Sequence, residues 1–154
     1  MIQRIQSLYL LLAVVAVALL FFFPIAELLV DKEFTFLFRY RGLYELKHGQ
    51  EILKIASYPL AILFSINMII SLITIFKFKN RILQLRLCII NILLLIASLA
   101  LAYYFIAFAF TDFQDTVRYG IVALMPVLAA IFSFLAYKGI QKDEKLIKSI
   151  DRIR

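Results

Sequence analysis

Four stretches that contain no Asp, Glu, Lys, Arg or His constrain this chain more than any other feature: Ile5–Phe23, Ala56–Phe76, Leu87–Phe110 and Tyr119–Tyr137. They hold 19, 21, 24 and 19 residues, and at about 1.5 Å rise per residue each reaches roughly the 30 Å of a hydrocarbon core. A water-soluble fold would have to bury four helices that are apolar on every side, and 154 residues leave nothing to coat them. The pattern predicts one all-α membrane domain over residues 1–154, a four-transmembrane-helix bundle with spans at about 5–23, 56–76, 87–110 and 119–137. The first span follows Arg4 as a signal peptide's apolar core would. It runs into Phe21, Phe22, Phe23 and Pro24 with no small-x-small cleavage triplet, and is read as retained.

Charge sets the expected orientation. Arg4, the second loop (Lys77, Lys79, Arg81, Arg86) and the C-terminal segment (Lys138, Lys142, Lys145, Lys148, Arg152, Arg154) place eleven basic residues on one side. The other side has six: Lys32, Arg39, Arg41, Lys47, Lys54 and Arg118. Positive residues concentrate at cytoplasmic ends, so both termini are expected in the cytoplasm. The formal charge of +7 is explained by that asymmetry, and a nucleic-acid partner is not expected.

Residues 27–55 form the one long outer loop. Phe34, Phe36, Phe38 and Tyr40 alternate there with Thr35, Leu37, Arg39 and Arg41 before Gly42, a period of two that predicts a short strand or hairpin whose aromatic face caps the bundle or lies on headgroups. Recognition of a periplasmic partner is the alternative. Gln50–Ser57 is expected to begin the second helix, with Pro59 near its start. At the other end, the tail 138–154 reads as a cytoplasmic amphipathic helix. Leu146, Ile147, Ile150 and Ile153 share a face, to lie on anionic lipid or dock on a partner.

Within the spans, small and polar residues mark expected helix-packing positions: Asn67, Asn91, Ser98, Ala102, Ala129 and Ser133, with Ala13 and Ala16 on the first span. Pro126, counted inside the fourth span, predicts a kink. No intramembrane carboxylate, His or base is present to carry a coupling charge, which weakens a proton-driven transporter reading. Cys88, the only cysteine, excludes dithiol redox chemistry. The lone His48 has only Glu45 and Glu51 near it and lacks metal-ligand spacing. Asp112 and Asp115 read as solvated. No nucleophile–base pair or phosphate loop is visible, so no catalysis, cofactor or metal is expected.

Three stretches carry a family likeness: the opening MIQRIQSLYLLL, FKNRILQLRL at Phe78–Leu87 and IQKDEKLIKSIDRIR at Ile140–Arg154. Through Lys79, Asn80, Arg81, Gln84 and Arg86, and through Asp143, Glu144, Lys145, Asp151 and Arg152, the chain resembles a small Bacteroidota inner-membrane family, domain of unknown function 4293. The resemblance implies four helices in the inner membrane of a Gram-negative bacterium, and no established activity. Two functions remain. One is a non-enzymatic accessory or scaffold subunit of a larger membrane complex, in secretion, insertion or envelope biogenesis. It contacts partner or lipid through Lys77, Lys79, Asn80, Arg81, Gln84, Arg86, Asp143, Glu144, Lys145, Lys148, Asp151 and Arg152. The alternative is an oligomeric transporter or carrier of a lipophilic compound, with a pocket lined by Asn67, Asn91 and Tyr103 or Tyr104. The identity of the partner and the oligomeric state are not legible.

Overall fold

The computed structural model describes residues 3–30, 33–47, 50–78, 80–110 and 116–151. His48, Lys79, Asp112, Asp115 and Arg152 fall outside these residues, as do the side chains of Lys148 and Asp151. Four long helices form: α1 (Gln3–Phe22), α2 (Tyr58–Phe76), α3 (Arg81–Tyr104) and α4 (Met125–Asp151). All four are long and apolar enough to cross a membrane. They pack as a closed ring in which α1 touches α2 and α4, and α3 touches α2 and α4.

A single periodicity explains which face each helix turns inward. Buried positions run Gln6, Leu10, Ala13, Val17, Leu20 on α1, and Leu60, Phe64, Asn67, Ser71, Thr74 on α2. They continue as Gln84, Cys88, Asn91, Leu95, Ser98, Ala102 on α3, and Pro126, Ala129, Ser133, Ala136, Ile140, Asp143 on α4. The spacing alternates between three and four throughout. That is the repeat of about 3.5 residues per turn that keeps one narrow seam facing a neighbouring helix. Large aliphatic residues such as Leu11, Ile62, Ile69, Leu93 and Ile131 stay outside. The seam mixes small and polar residues with Leu10, Leu20, Leu60, Phe64, Leu95 and Ile140, and the small ones permit close backbone approach.

The connections from α1 to α2 and from α3 to α4 correct the all-α expectation. Residues 27–55 do not form one short hairpin. They build β1 (Ala26–Val30), β2 (Glu33–Arg39), β3 (Gly42–Lys47) and β4 (Gln50–Ala56), and β5 (Thr116–Tyr119), from the connection between α3 and α4, adds to β1. The result is a five-stranded antiparallel sheet in the order β4-β3-β2-β1-β5. Gln50–Ala56 is thus strand rather than the start of α2, and Ser57 is the N-cap of that helix. Extending the helix backwards would have put Pro59 in its interior, where the ring clashes with the carbonyl four residues earlier, whereas pairing with β3 satisfies those backbone groups. Pro126 likewise does not kink a span. The chain up to Tyr119 is strand, Ile121–Leu124 is a 3-10 turn, and Pro126 is the second residue of α4, where a missing N–H costs nothing. The tail is no separate surface helix either, because α4 continues unbroken from Met125 to Asp151.

The sheet's inner face presents Ala26, Leu28, Phe36, Phe38 and Leu43, all buried, to the ends of the helices. Of the four aromatics in the alternating run, Phe36 and Phe38 are buried and Tyr40 half-buried, while the Phe34 side chain lies outside the described set. Phe38 meets Phe110 edge-on at 5.1 Å between ring centroids. Phe110 reaches that position because α3 ends in a π-helical turn, Phe105–Ala109, closed by the Phe110 N–H to the Phe105 carbonyl at 3.0 Å. The wider turn keeps both Ile106 and Phe110 on the buried face. Arg39 ties the sheet to α1, donating to the Phe22 carbonyl at 3.1 Å, an orphan acceptor at that helix end, and to Glu51 at 2.6 Å.

Candidate functional site

Two regions collect the polar chemistry of the helical body, the inner seam and the end opposite the sheet. In the seam, Asn91 of α3 donates to the Ser71 hydroxyl at 2.9 Å and to the Ser133 hydroxyl at 3.1 Å, joining α2, α3 and α4 through one side chain. One layer away, Gln84 donates to the Thr74 carbonyl at 3.1 Å, and the Thr74 hydroxyl in turn donates to the Ile70 carbonyl. Asn67 and Ser98 are buried, but each bonds within its own helix, Asn67 to the Leu63 carbonyl and Ser98 to the Leu95 carbonyl. Ala102 and Ala129 are buried in the same core. The amide oxygens of Asn67 and Asn91 are buried without a hydrogen-bond partner.

This geometry does not build the carrier pocket suggested by the sequence. Asn67 and Asn91 are sealed in side-chain packing, whereas Tyr103 and Tyr104 point outward at 64 % and 54 % exposure, so the four do not line one cavity. Asn91 acts as a three-helix tie. Replacing it with alanine removes two cross-helix bonds and is expected to cost about 1–2 kcal/mol, in the range of net contributions from buried hydrogen bonds. Reversible unfolding in detergent, run as a double-mutant cycle with Ser133→Ala, measures it, and purely additive effects would show that the two side chains do not interact.

At the opposite end, several residues singled out as an interface are structural. Asn80 is the N-cap of α3, its side-chain oxygen accepting from the Leu83 N–H at 3.2 Å. Gln84 is buried against α2 as described. Asp143 is also buried rather than presented outward: the Gln6 amide donates to it at 2.6 Å, tying α4 to α1. Gly139 lies one turn away, where an added Cβ would sit 3.0 Å from Gln6 Cγ. The expectation missed Gln6, although its place four residues before Leu10 on the seam repeat was a readable signal. Leu146 and Ile147, expected to cover a surface, are exposed.

The cations behave differently. Lys77, Arg86, Lys142 and Lys145 are exposed and Arg81 half-exposed, and none has a carboxylate within ion-pair distance among the described residues. Lys138 stacks over Phe134 at 4.8 Å. On the sheet, by contrast, Lys47 and Lys54 both engage the nearly buried Glu45, at 3.1 and 2.9 Å. The Lys54 ammonium, ahead of Lys47, holds the Glu45 carboxyl below its usual range against the opposing effect of burial. No group of three His, Cys, Asp or Glu side chains converges among the described residues.

A family model with the description Domain of unknown function (DUF4293) matches residues 2–153. No curated protein and no solved structure matches the chain.

Proposed function

The chain belongs to the DUF4293 family, and from its geometry we propose that it is a non-enzymatic, membrane-embedded accessory subunit that binds a larger inner-membrane complex. Both termini and the α2–α3 turn face the cytoplasm, and the sheet lies outside. Membrane insertion is supported by what the helices leave uncovered: only 22–33 % of their most apolar stretches is buried within the protein. In water that would expose a continuous apolar surface far above the few hundred Å² that soluble monomers tolerate. Tyr58, Tyr103, Tyr104 and Tyr119, all exposed at the sheet end, match the aromatic belt of a membrane interface.

The observation that carries the accessory reading is the set of cations at the end away from the sheet with no carboxylate in reach among the described residues, combined with a seam in which Gln6, Gln84 and Asn91 tie helices together instead of lining a pathway. Arg81 begins α3, where the helix dipole disfavours a positive charge. Its position there therefore does not serve the helix, and fits orientation and the recognition of an acidic partner surface.

Affinity purification of tagged protein from native membranes in mild detergent is expected to retain a stoichiometric partner. Charge reversal of Arg81 and Arg86 together is expected to lower its yield at least about tenfold, in line with two charge-assisted contacts. Recovery of this chain alone after crosslinking refutes the reading. The orientation is tested by a reporter fused after Arg154, expected to be active in the cytoplasm and inactive in the periplasm.

A further inference from the structure

A cleft lies between the end of α1 and the start of α2, beneath the turn from β2 to β3, with a volume of about 590 Å³. Phe21 and Tyr40 form one wall, their rings 4.8 Å apart. The other wall is one face of α2, running through Tyr58, Ile62 and Ile66. These three positions descend two helical turns, about 12 Å at 1.5 Å per residue, from the level of the sheet toward the middle of the helices. Arg41 stands at the upper rim, its guanidinium 5.9 Å from the Tyr40 ring centroid. The cleft therefore has a cation and phenols at interface depth and an apolar wall below, open sideways where Tyr58 and Ile62 are 63 % and 57 % exposed.

Arg41 differs from its neighbours in a way that specifies the missing partner. Arg39 is paired with Glu51, and Lys47 and Lys54 are paired with Glu45. Arg41 has no carboxylate within ion-pair distance among the described residues, although the cation–π contact with Tyr40 holds it over the cleft. A guanidinium forms paired hydrogen bonds with a phosphate more readily than any other side chain. An apolar wall running down the hydrocarbon cannot be covered favourably by water. Charge at the rim and apolarity below together match an amphiphile rather than a free anion.

We propose that this cleft is a binding site for one anionic phospholipid, its phosphate on Arg41 and one acyl chain along Tyr58, Ile62 and Ile66. The site rests on the membrane reading above, but not on the existence or identity of a protein partner. A bound lipid wedged there fixes α1 to α2 beside the sheet.

The test uses the full chain in phosphatidylcholine nanodiscs doped with phosphatidylglycerol that carries a photoactivatable acyl chain, with crosslinks mapped by mass spectrometry. Labelling is expected to concentrate on Phe21 and the Tyr58–Ile66 face. It should fall roughly tenfold in Arg41→Gln and be largely kept in Arg41→Lys, since one charge-assisted contact is lost or retained. Ala61→Phe, which fills the floor of the cleft and leaves Arg41 in place, is expected to exclude the label as well. Even labelling of outward positions such as Ile89 and Ile131, or labelling unchanged in Arg41→Gln or Ala61→Phe, overturns the proposal. Displacement of the label by inorganic phosphate also overturns it, in favour of a free anion. Liposome flotation separates the two layers of argument: a chain that does not float refutes the membrane reading, while a floating chain that labels evenly refutes only the lipid site.

Discussion

Gly42→Val is expected to lower stability by about 3 kcal/mol or more and to release the outer half of the sheet. Gly42 is the first residue of β3 and has φ +153°, in a region that side chains with a Cβ rarely adopt. A Cβ there would collide with the Ile55 carbonyl oxygen and lie 3.0 Å from Ala56 Cα, both backbone atoms of β4 that cannot rotate away. The register of β3 and β4 shifts immediately after, between Leu43 and Tyr44, so the close approach is part of how the two strands are aligned. Relief requires β4 to move, which disturbs the bond from the Ser57 N–H to the Arg41 carbonyl at 2.7 Å and the entry into α2. Amide exchange in β3 and β4 and thermal unfolding of the purified protein measure the effect. Gly139→Ala is the comparison, because there the new Cβ meets only the Gln6 side chain. Equal stability losses at the two sites would show that backbone crowding at Gly42 is not the cause.

The second large effect is expected from Phe38→Ala. Phe38 is fully buried and is the point where sheet and helices interlock, packed edge-on against Phe110 at 5.1 Å and near Phe105 at 6.5 Å. Truncation leaves a cavity among side chains held on two different elements that cannot collapse together, a loss of about 3–5 kcal/mol. Part of that is the edge-to-face pair itself, worth roughly 0.5–1.5 kcal/mol. Phe22→Ala, at 73 % exposure, is expected to change stability by less than about 0.5 kcal/mol. If the two truncations cost the same in detergent unfolding, the sheet is not seated on the helices through Phe38.

The parts of the fold that were legible are those written in local composition. The four helices follow from long uncharged runs, and the strand character of Phe36 and Phe38 from an alternation of period two. Asn67, Asn91, Ser98, Ala102, Ala129 and Ser133 stand out as small or polar residues in an aliphatic background, and all six lie buried. The misreadings share one cause. Extending a neighbouring helix misplaces Gln50–Ser57 and Pro126, and ending the fourth span at Tyr137 splits the tail from α4, because hydropathy carries no mark of where backbone hydrogen bonds change partner or continue. Asn80, Gln84 and Asp143 look like an exposed polar cluster on paper, yet one is a cap and two are buried ties, because the role of a polar residue depends on which face it occupies.

By itself the sequence determined that four helices of membrane-spanning length exist and which ends of them are basic, because length, hydropathy and charge are properties of contiguous residues. Tertiary structure alone decided that β5 closes against β1 across most of the chain, that Asn91 joins three helices, and that Arg41 stands above an apolar cleft with no carboxylate in reach among the described residues. Each of these is a relation between residues far apart in sequence, set by backbone pairing and helix register, and no local pattern of residue types specifies it.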